Sequence, residues 1–253
     1  MVSPRVYKIG GLALEDPGLL PPLAEELRRG DAPTVLVHGG GRAVDRMLTA
    51  LGLASRFVEG RRETSPEAME VVEMVLSGLA NKALAAGLTA AGVPAVGVSG
   101  RDGRLVRARL EPQLGRVGVP EAVDARVVQA LWAGGLLPVV SPVAAGPAFE
   151  AVNFNADEAA LSLARALGAA TLVYLSDVDG VRIGGQAVES LSPREAQRRI
   201  DDGTIAGGMA LKVRVALQAA AAGIPEVVIA GRARLAGAFP GTRIVAAGQE
   251  VGR

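Results

Sequence analysis

The chain has 253 residues, a formal net charge of +1, 49% hydrophobic residues and 21% charged residues, the profile of a globular protein with a large core in one or two domains. The near-zero charge and the scarcity of aromatics, one Trp, two Tyr and four Phe, remove the basic footprint and stacking surface of a nucleic-acid binder. With no cysteine and a single histidine, His38, disulfides, thiolate nucleophiles and Cys- or multi-His metal sites are excluded, so no metal-ligating residue is expected. The start MVSPRVYKIGG has no basic-then-apolar layout, and no run of about 18 apolar residues escapes a charge or a Gly/Pro break, so a cytoplasmic protein without a membrane partner is expected.

In chain order, residues 5–9 predict a short strand ending in Gly10-Gly11, and residues 17–29 carry helical spacing before Gly30. Residues 34–37 form an apolar, β-branched run typical of a buried parallel strand, leading into His38-Gly39-Gly40-Gly41 and a helix over 42–51. Residues 57–64 look extended. Ser65 then supplies an N-cap and Pro66 a first helical position for a helix to about residue 76, followed by a separate helix over 81–91. A strand at 95–98, a turn at 100–103, a helix at 124–133 and a strand at 137–140 repeat the pattern. Ala144-Ala145-Gly146-Pro147 breaks both periodicities and marks the expected boundary between lobes 1–145 and 146–253.

Beyond it the spacing predicts a helix over 156–167, a strand over 171–175, a turn over 177–180 and a hairpin through Gly184-Gly185. Ser192 and Glu195 form a capping box. A helix over 209–222 and strands over 226–229 and 242–246 close the chain. Strands and helices alternate throughout, which predicts an α/β fold, an αβα sandwich around a mostly parallel central sheet.

The scarce residues are informative. Among 27 basic residues only Lys8, Lys82 and Lys212 are lysines, and the only asparagines are Asn81, Asn153 and Asn155. On a solvated face Arg and Lys interchange, whereas a compact ammonium against a phosphate cannot be replaced by a planar guanidinium. Glycine clusters after two strands would let backbone N–H groups approach an anion. Neither cluster is a Walker A loop, and Gly39 to Val44 fails G-x-G-x-x-G. His38 has no triad layout and reads as a turn-packing histidine, while Ser99 and Ser141 lack the G-x-S-x-G context of a nucleophile elbow. Asp157, at a predicted helix start, could simply favour the macrodipole.

Seven motifs, in order, resemble the amino-acid kinase family over nearly the whole chain, most closely its members that phosphorylate N-acetylglutamate. They are Lys8-x-Gly10-Gly11, His38-Gly39-Gly40-Gly41 with Val44-Asp45, Gly60-Arg61-Arg62-x-Thr64, Ala80-Asn81-Lys82, Asn153-x-Asn155-Ala156-Asp157, Leu175-Ser176-Asp177-Val178-x-Gly180 and Gly208-Met209-x-x-Lys212. The resemblance implies a single amino-acid kinase domain, with an acceptor lobe at 1–145 and a nucleotide lobe at 146–253. Its implied reaction is ATP-dependent phosphorylation, with Mg2+, of the side-chain carboxylate of N-acetyl-L-glutamate in arginine biosynthesis. Such an acceptor, with a reference pKa of about 4.3, is already ionised at neutral pH and needs no base. The enzyme must instead overcome repulsion between two anions.

The resemblance assigns Lys8 and Lys212 to the β- and γ-phosphates and Asp157 to orienting both ammonium groups. Backbone amides of Gly10, Gly11, Gly39 and Gly40 would stabilise the transferring group. Arg62 would clamp the substrate α-carboxylate, Asn153 would bind the acetylated amino acid, and Ser176, Asp177 and Val178 would lie beside the nucleotide. Asn81-Lys82 is expected only to pack the lobes. Lys8 stands too near the start for the N-terminal helix of arginine-inhibited hexameric members, so an arginine-insensitive homodimer is expected. The segment from Ala230 to Gly241 is shorter than in many relatives. A kinase for carrier-protein-bound aminoadipate in lysine biosynthesis is the nearest alternative, and a non-catalytic amino-acid sensor the alternative from another class.

Overall fold

The computed structural model describes residues 2–11, 15–16, 18–58 and 60–245. Strand β1 (Arg5–Ile9) leads to α1 (Leu20–Arg29), β2 (Thr34–His38), α2 (Gly41–Ala50) and a hairpin of β3 (Arg56–Val58) with β4 (Arg61–Glu63). Helix α3 (Pro66–Glu73) continues through a π-helical segment, Met74–Ala80, into α4 (Asn81–Ala90). Next come β5 (Ala95–Ser99), β6 (Val106–Leu110), β7 (Gly118–Val123), α5 (Arg126–Ala133), β8 (Leu137–Ser141), β9 (Val143–Ala145) and β10 (Ala151–Asn153). The last part holds α6 (Ala156–Ala166), β11 (Thr171–Leu175), the hairpin β12 (Arg182–Ile183) and β13 (Gln186–Ala187), β14 (Ser190–Leu191), α7 (Pro193–Asp201), α8 (Gly207–Ala221), β15 (Glu226–Ala230), α9 (Arg232–Leu235) and β16 (Thr242–Ile244).

Eight strands form the central sheet in the order β14-β16-β15-β11-β1-β2-β8-β5, parallel except where β16 runs against β15. Parallel strands covered on both faces read as continuous apolar runs, and β2 and β8 are buried at every position. Alternation along each strand assigns the faces. Val6, Val35 and Val37 join one core with Leu163 of α6 and Val213 of α8, whereas Tyr7, Ile9 and Leu36 join another with Leu23 of α1 and Leu88 of α4. By the same parity Lys8 faces α6 and His38 faces α4. The expected sandwich is therefore present.

Three features differ from the sequence expectation. The helices expected at 66–76 and 81–91 are one continuous element, Pro66–Ala90, because no proline interrupts them and the π segment absorbs the join. By length and composition this element could cross a membrane. It carries Glu67, Glu70, Glu73 and Lys82, and its Val71, Val72, Val75, Leu84 and Leu88 are buried against the rest of the protein. A second sheet, β10-β9-β6-β7, was not foreseen. The segment Ala144 to Pro147 lies within its β9–β10 hairpin, so the chain returns to the same sheet before entering α6. Finally, the short helix α9 was not foreseen. Residues 17, 59 and 246, which belong to three expected elements, lie outside the described residues. The Ser65 cap forms as expected, its hydroxyl accepting from Ala68 N–H; at Ser192 only half of the expected capping box forms, since Ser192 Oγ accepts from Glu195 N–H while the Glu195 carboxylate turns to Arg198 and Arg199 instead.

Candidate active site

Lys8 and Asp157 meet where β1 ends under the start of α6. Asn155 caps that helix, its Oδ1 accepting from the backbone N–H of Asp157 at 2.7 Å and of Glu158 at 3.4 Å. Two orphan donors of the first turn are thereby satisfied, which fixes the path of the chain at Asp157. Lys8 Nζ lies 2.7 Å from Asp157 Oδ1, with Lys8 7% and Asp157 8% exposed. Burial alone would raise the Asp157 carboxyl, but the charges of Lys8 and Lys212 outweigh it and hold the group below its ordinary value. Burial and the like charge of Lys8 lower the Lys212 ammonium, opposed by Asp157 and Asp177. The buried Lys8 pairs with Asp157, and the half-buried Lys212 acts on the same carboxylate through its charge, which gives a centre with surplus positive charge suited to an anion.

Beside it, the two glycine loops abut. Gly39 N–H donates to Ile9 O and Gly10 N–H to Leu175 O, each at 2.9 Å, tying the ends of β1, β2 and β11 together. A Cβ on Gly11 would stand 3.3 Å from Gly40 N, and one on Gly40 would stand 2.7 Å from Leu76 Cδ2. Side chains there would crowd the approach of the two loops. The Gly40 N–H makes no hydrogen bond among the described residues, so it remains a free donor at the N-terminus of α2.

Arg62, on β4, lines the same cleft as Lys8 and Asp157. Its guanidinium pairs with Asp45, donates to Ser55 Oγ and, at 3.2 Å, to Gly41 O, and lies 4.5 Å from the centre of the Phe57 ring. The Arg62 contact holds the Asp45 carboxyl low. Arg62 Nε makes no hydrogen bond among the described residues. Thr64, fully buried, donates to Arg62 O at 2.7 Å and accepts from Asn153 Nδ2 at 3.2 Å, linking two residues 91 positions apart. The neighbouring Arg61 is drawn away by Glu158 at 2.5 Å.

A cleft of about 230 Å³ joins these parts. It brings together Lys8, Gly11, Gly39, Gly40, Arg62, Asn153 and Asp157. Gly10, Ser176, Asp177, Val178 and Lys212 do not line it. Ser176 follows β11, where its N–H donates to Ala230 O at 2.8 Å and its hydroxyl to Asp177 Oδ1 at 2.9 Å. Asp177 in turn acts on Lys212. The candidate residues therefore fall into those that line the cleft and those that do not, linked by the mutual charge interactions of Lys8, Asp157 and Lys212.

The family model for the amino acid kinase family matches residues 3–231. The chain belongs to the amino acid kinase family. Acetylglutamate kinase from Rubrobacter xylanophilus is 47% identical over 247 residues, covering 94% of each chain. Acetylglutamate kinase from Deinococcus radiodurans is 44% identical over 253 residues, covering 95% of this chain and 99% of that protein. Among solved structures, smu.665 from Streptococcus mutans superimposes with a TM-score of 0.86 at 27% identity, covering 96% of this chain and 98% of that one. A carbamate kinase from Giardia, at 15% identity and a TM-score of 0.68, shares the fold.

For this amino acid kinase, several supporting residues had no assigned role in the sequence. Ser55 and Phe57 hold Arg62, Thr64 ties Arg62 to Asn153, and Tyr174, beneath the pair, places its hydroxyl 3.5 Å from Asp157 O. Asp45 and Thr64 were signalled only by lying within the family motifs, and Asn155 also by the scarcity of asparagine. Ser55, Phe57 and Tyr174 had none.

Proposed function

We propose that this protein transfers the γ-phosphoryl group of ATP to the side-chain carboxylate of N-acetyl-L-glutamate, giving N-acetyl-L-glutamyl 5-phosphate in arginine biosynthesis, as a cytoplasmic homodimer. The observation that carries the reading is the buried Lys8 and Asp157 pair in the same cleft as Arg62 and Asn153. Its full-length similarity to acetylglutamate kinases supports the same substrate.

The chemistry follows from charge. Two anions must approach, and little covalent work falls to the protein, so positioning and charge stabilisation carry catalysis. Lys8 and Lys212 neutralise the transferred group, and Asp157 keeps their ammonium groups apart and oriented. Backbone amides of Gly10, Gly11, Gly39 and Gly40 act on the developing charge at no reorganisation cost. Arg62 uses its Nε edge for the α-carboxylate and Asn153 takes the acetylated amine. Ser176, Asp177 and Val178 flank the nucleotide. Lobe 1–145 serves the acceptor and lobe 146–253 the nucleotide, with the β9–β10 hairpin carrying Asn153 back to the acceptor side.

No cluster of three metal-ligating side chains exists among the described residues. The side chains present do not form a cage for Mg2+, which therefore enters as part of the nucleotide substrate, and no step here is routed through it.

Trapping acyl phosphate with hydroxylamine tests the reading. N-acetylglutamate should give hydroxamate with ATP and Mg2+, unaffected by arginine, while glutamate, aspartate and carbamate do not. Silence with every free acceptor would replace it with the carrier-bound aminoadipate reaction.

A further inference from the structure

His38, Asn81 and Lys82 do not line the cleft, yet they come from residue types the chain uses sparingly: one His, three Asn and three Lys. His38 and Asn81 are both 0% exposed. His38 ends β2 facing α4, and Asn81 is the first residue of α4.

The partners determine where the protons sit. Lys82 Nζ can only donate. It reaches Gly97 O at 2.5 Å and Asn81 Oδ1 at 3.4 Å. The amide nitrogen of Asn81 therefore points the other way, 2.9 Å from Val139 O, 3.1 Å from His38 Nε2 and, more distantly, 3.4 Å from Val98 O. A donor facing Nε2 requires a lone pair there, so the neutral ring carries its proton on Nδ1. Nδ1 lies 2.7 Å from Gly39 O, which can only accept. Both edges of the ring demand the same tautomer. Burial pushes the imidazole down to about 4, the nearby Lys8 charge acts in the same direction and the Gly39 contact opposes both, so the ring stays neutral around pH 7.

Gly39 C=O and Gly40 N–H belong to one trans peptide and point in opposite directions. Holding the carbonyl aims the N–H. We propose that Lys82, Asn81 and His38 form a positioning relay which, by gripping the Gly39 carbonyl from behind, aims the Gly40 N–H at the transferred phosphoryl group. The inference rests on the phosphoryl-transfer reading above. Gly97 belongs to the relay by omission, since a Cβ there would stand 2.1 Å from Asn81 Oδ1.

The two ring nitrogens can be mimicked separately. An Asn side chain places an amide near the Nδ1 position, whereas Gln reaches the Nε2 position. With N-acetylglutamate as acceptor, His38→Asn is expected to keep kcat within about threefold, and His38→Gln to lose about tenfold or more with both KM values nearly unchanged. Equal kcat in the two variants would overturn the relay. Absence of turnover in the wild-type enzyme with every acceptor would instead overturn the phosphoryl-transfer reading, and the relay's role with it.

A readout independent of activity comes from the unmodified chain. As the only histidine, His38 gives a single pair of ring signals after 15N-histidine labelling, and these should report an Nδ1-protonated neutral ring with ATP absent or present. An Nε2-protonated ring would overturn the assignment. Lys82 is exposed, so Lys82→Met leaves the core intact and should shift the His38 signals; unmoved signals would remove Lys82 from the relay.

Discussion

Nζ of Lys8 lies 2.7 Å from Oδ1 of Asp157, and the pair is enclosed between β1 and the first turn of α6. A buried pair is worth little against an apolar substitute, but removing one partner leaves an uncompensated charge. Asp157→Asn leaves Lys8 and Lys212 facing each other without their shared counter-charge. Steady-state kinetics should show kcat lower by roughly 10²- to 10³-fold, the scale of losing one preorganised electrostatic contact. Lys8→Arg should lose a comparable factor, because the planar guanidinium does not fit the ammonium's place.

Arg62 is held by Asp45, Ser55 and the Phe57 ring before any substrate arrives. Preorganisation of this kind lowers the cost of binding. Arg62→Lys keeps the charge and loses both the fork and the ring contact, so KM for the acceptor should rise by about tenfold or more while KM for ATP changes little. Equal changes in both would place Arg62 outside the acceptor end.

The buried neutral His38 makes stability depend on pH. Its folded pKa, about 4, lies below the ordinary imidazole value of 6.5, so between these values the unfolded chain binds the extra proton. Stability therefore rises with pH through this window and is lost as pH falls from about 6.5 toward 4, by roughly 3 kcal/mol in full. Denaturant melts at pH 7 and pH 4.5 should show the loss in the wild type and a smaller one in His38→Asn, which has no titrating ring. Identical pH slopes would contradict the assignment.

Asn155→Ala removes the cap that accepts from Asp157 N and Glu158 N. The expected cost is about 1 kcal/mol of stability, read as a lowered midpoint in urea. Asn155→Asp should recover it, since a carboxylate caps equally well and favours the helix N-terminus. Failure of Asp to recover stability would show that the amide has a further partner.

Much of the fold was legible because its determinants are local. Residues 35–37 are apolar at every position because both faces of β2 are covered, and that pattern needs no partner to be recognised. Caps at Ser65 and Ser192 follow from side chains meeting the backbone three residues away. The β10-β9-β6-β7 sheet escaped notice because β9 and β10 are three residues each, and β6 draws its partners from β7 and β9. The π segment escaped because Gly78 resembles a break, whereas the backbone absorbs it within one helix.

By itself the sequence determined the alternating α/β pattern, the glycine turns and the presence of compact cations in a chain that otherwise uses arginine. Only the tertiary structure decided which charges meet. Lys8 finds Asp157 across 149 positions, Asn153 finds Thr64 across 89 and Asn81 finds His38 across 43. Periodicity reports whether a position is buried, but not which polar group will face it there. That choice depends on strand order and helix placement, and a buried polar atom costs free energy until the fold supplies its partner.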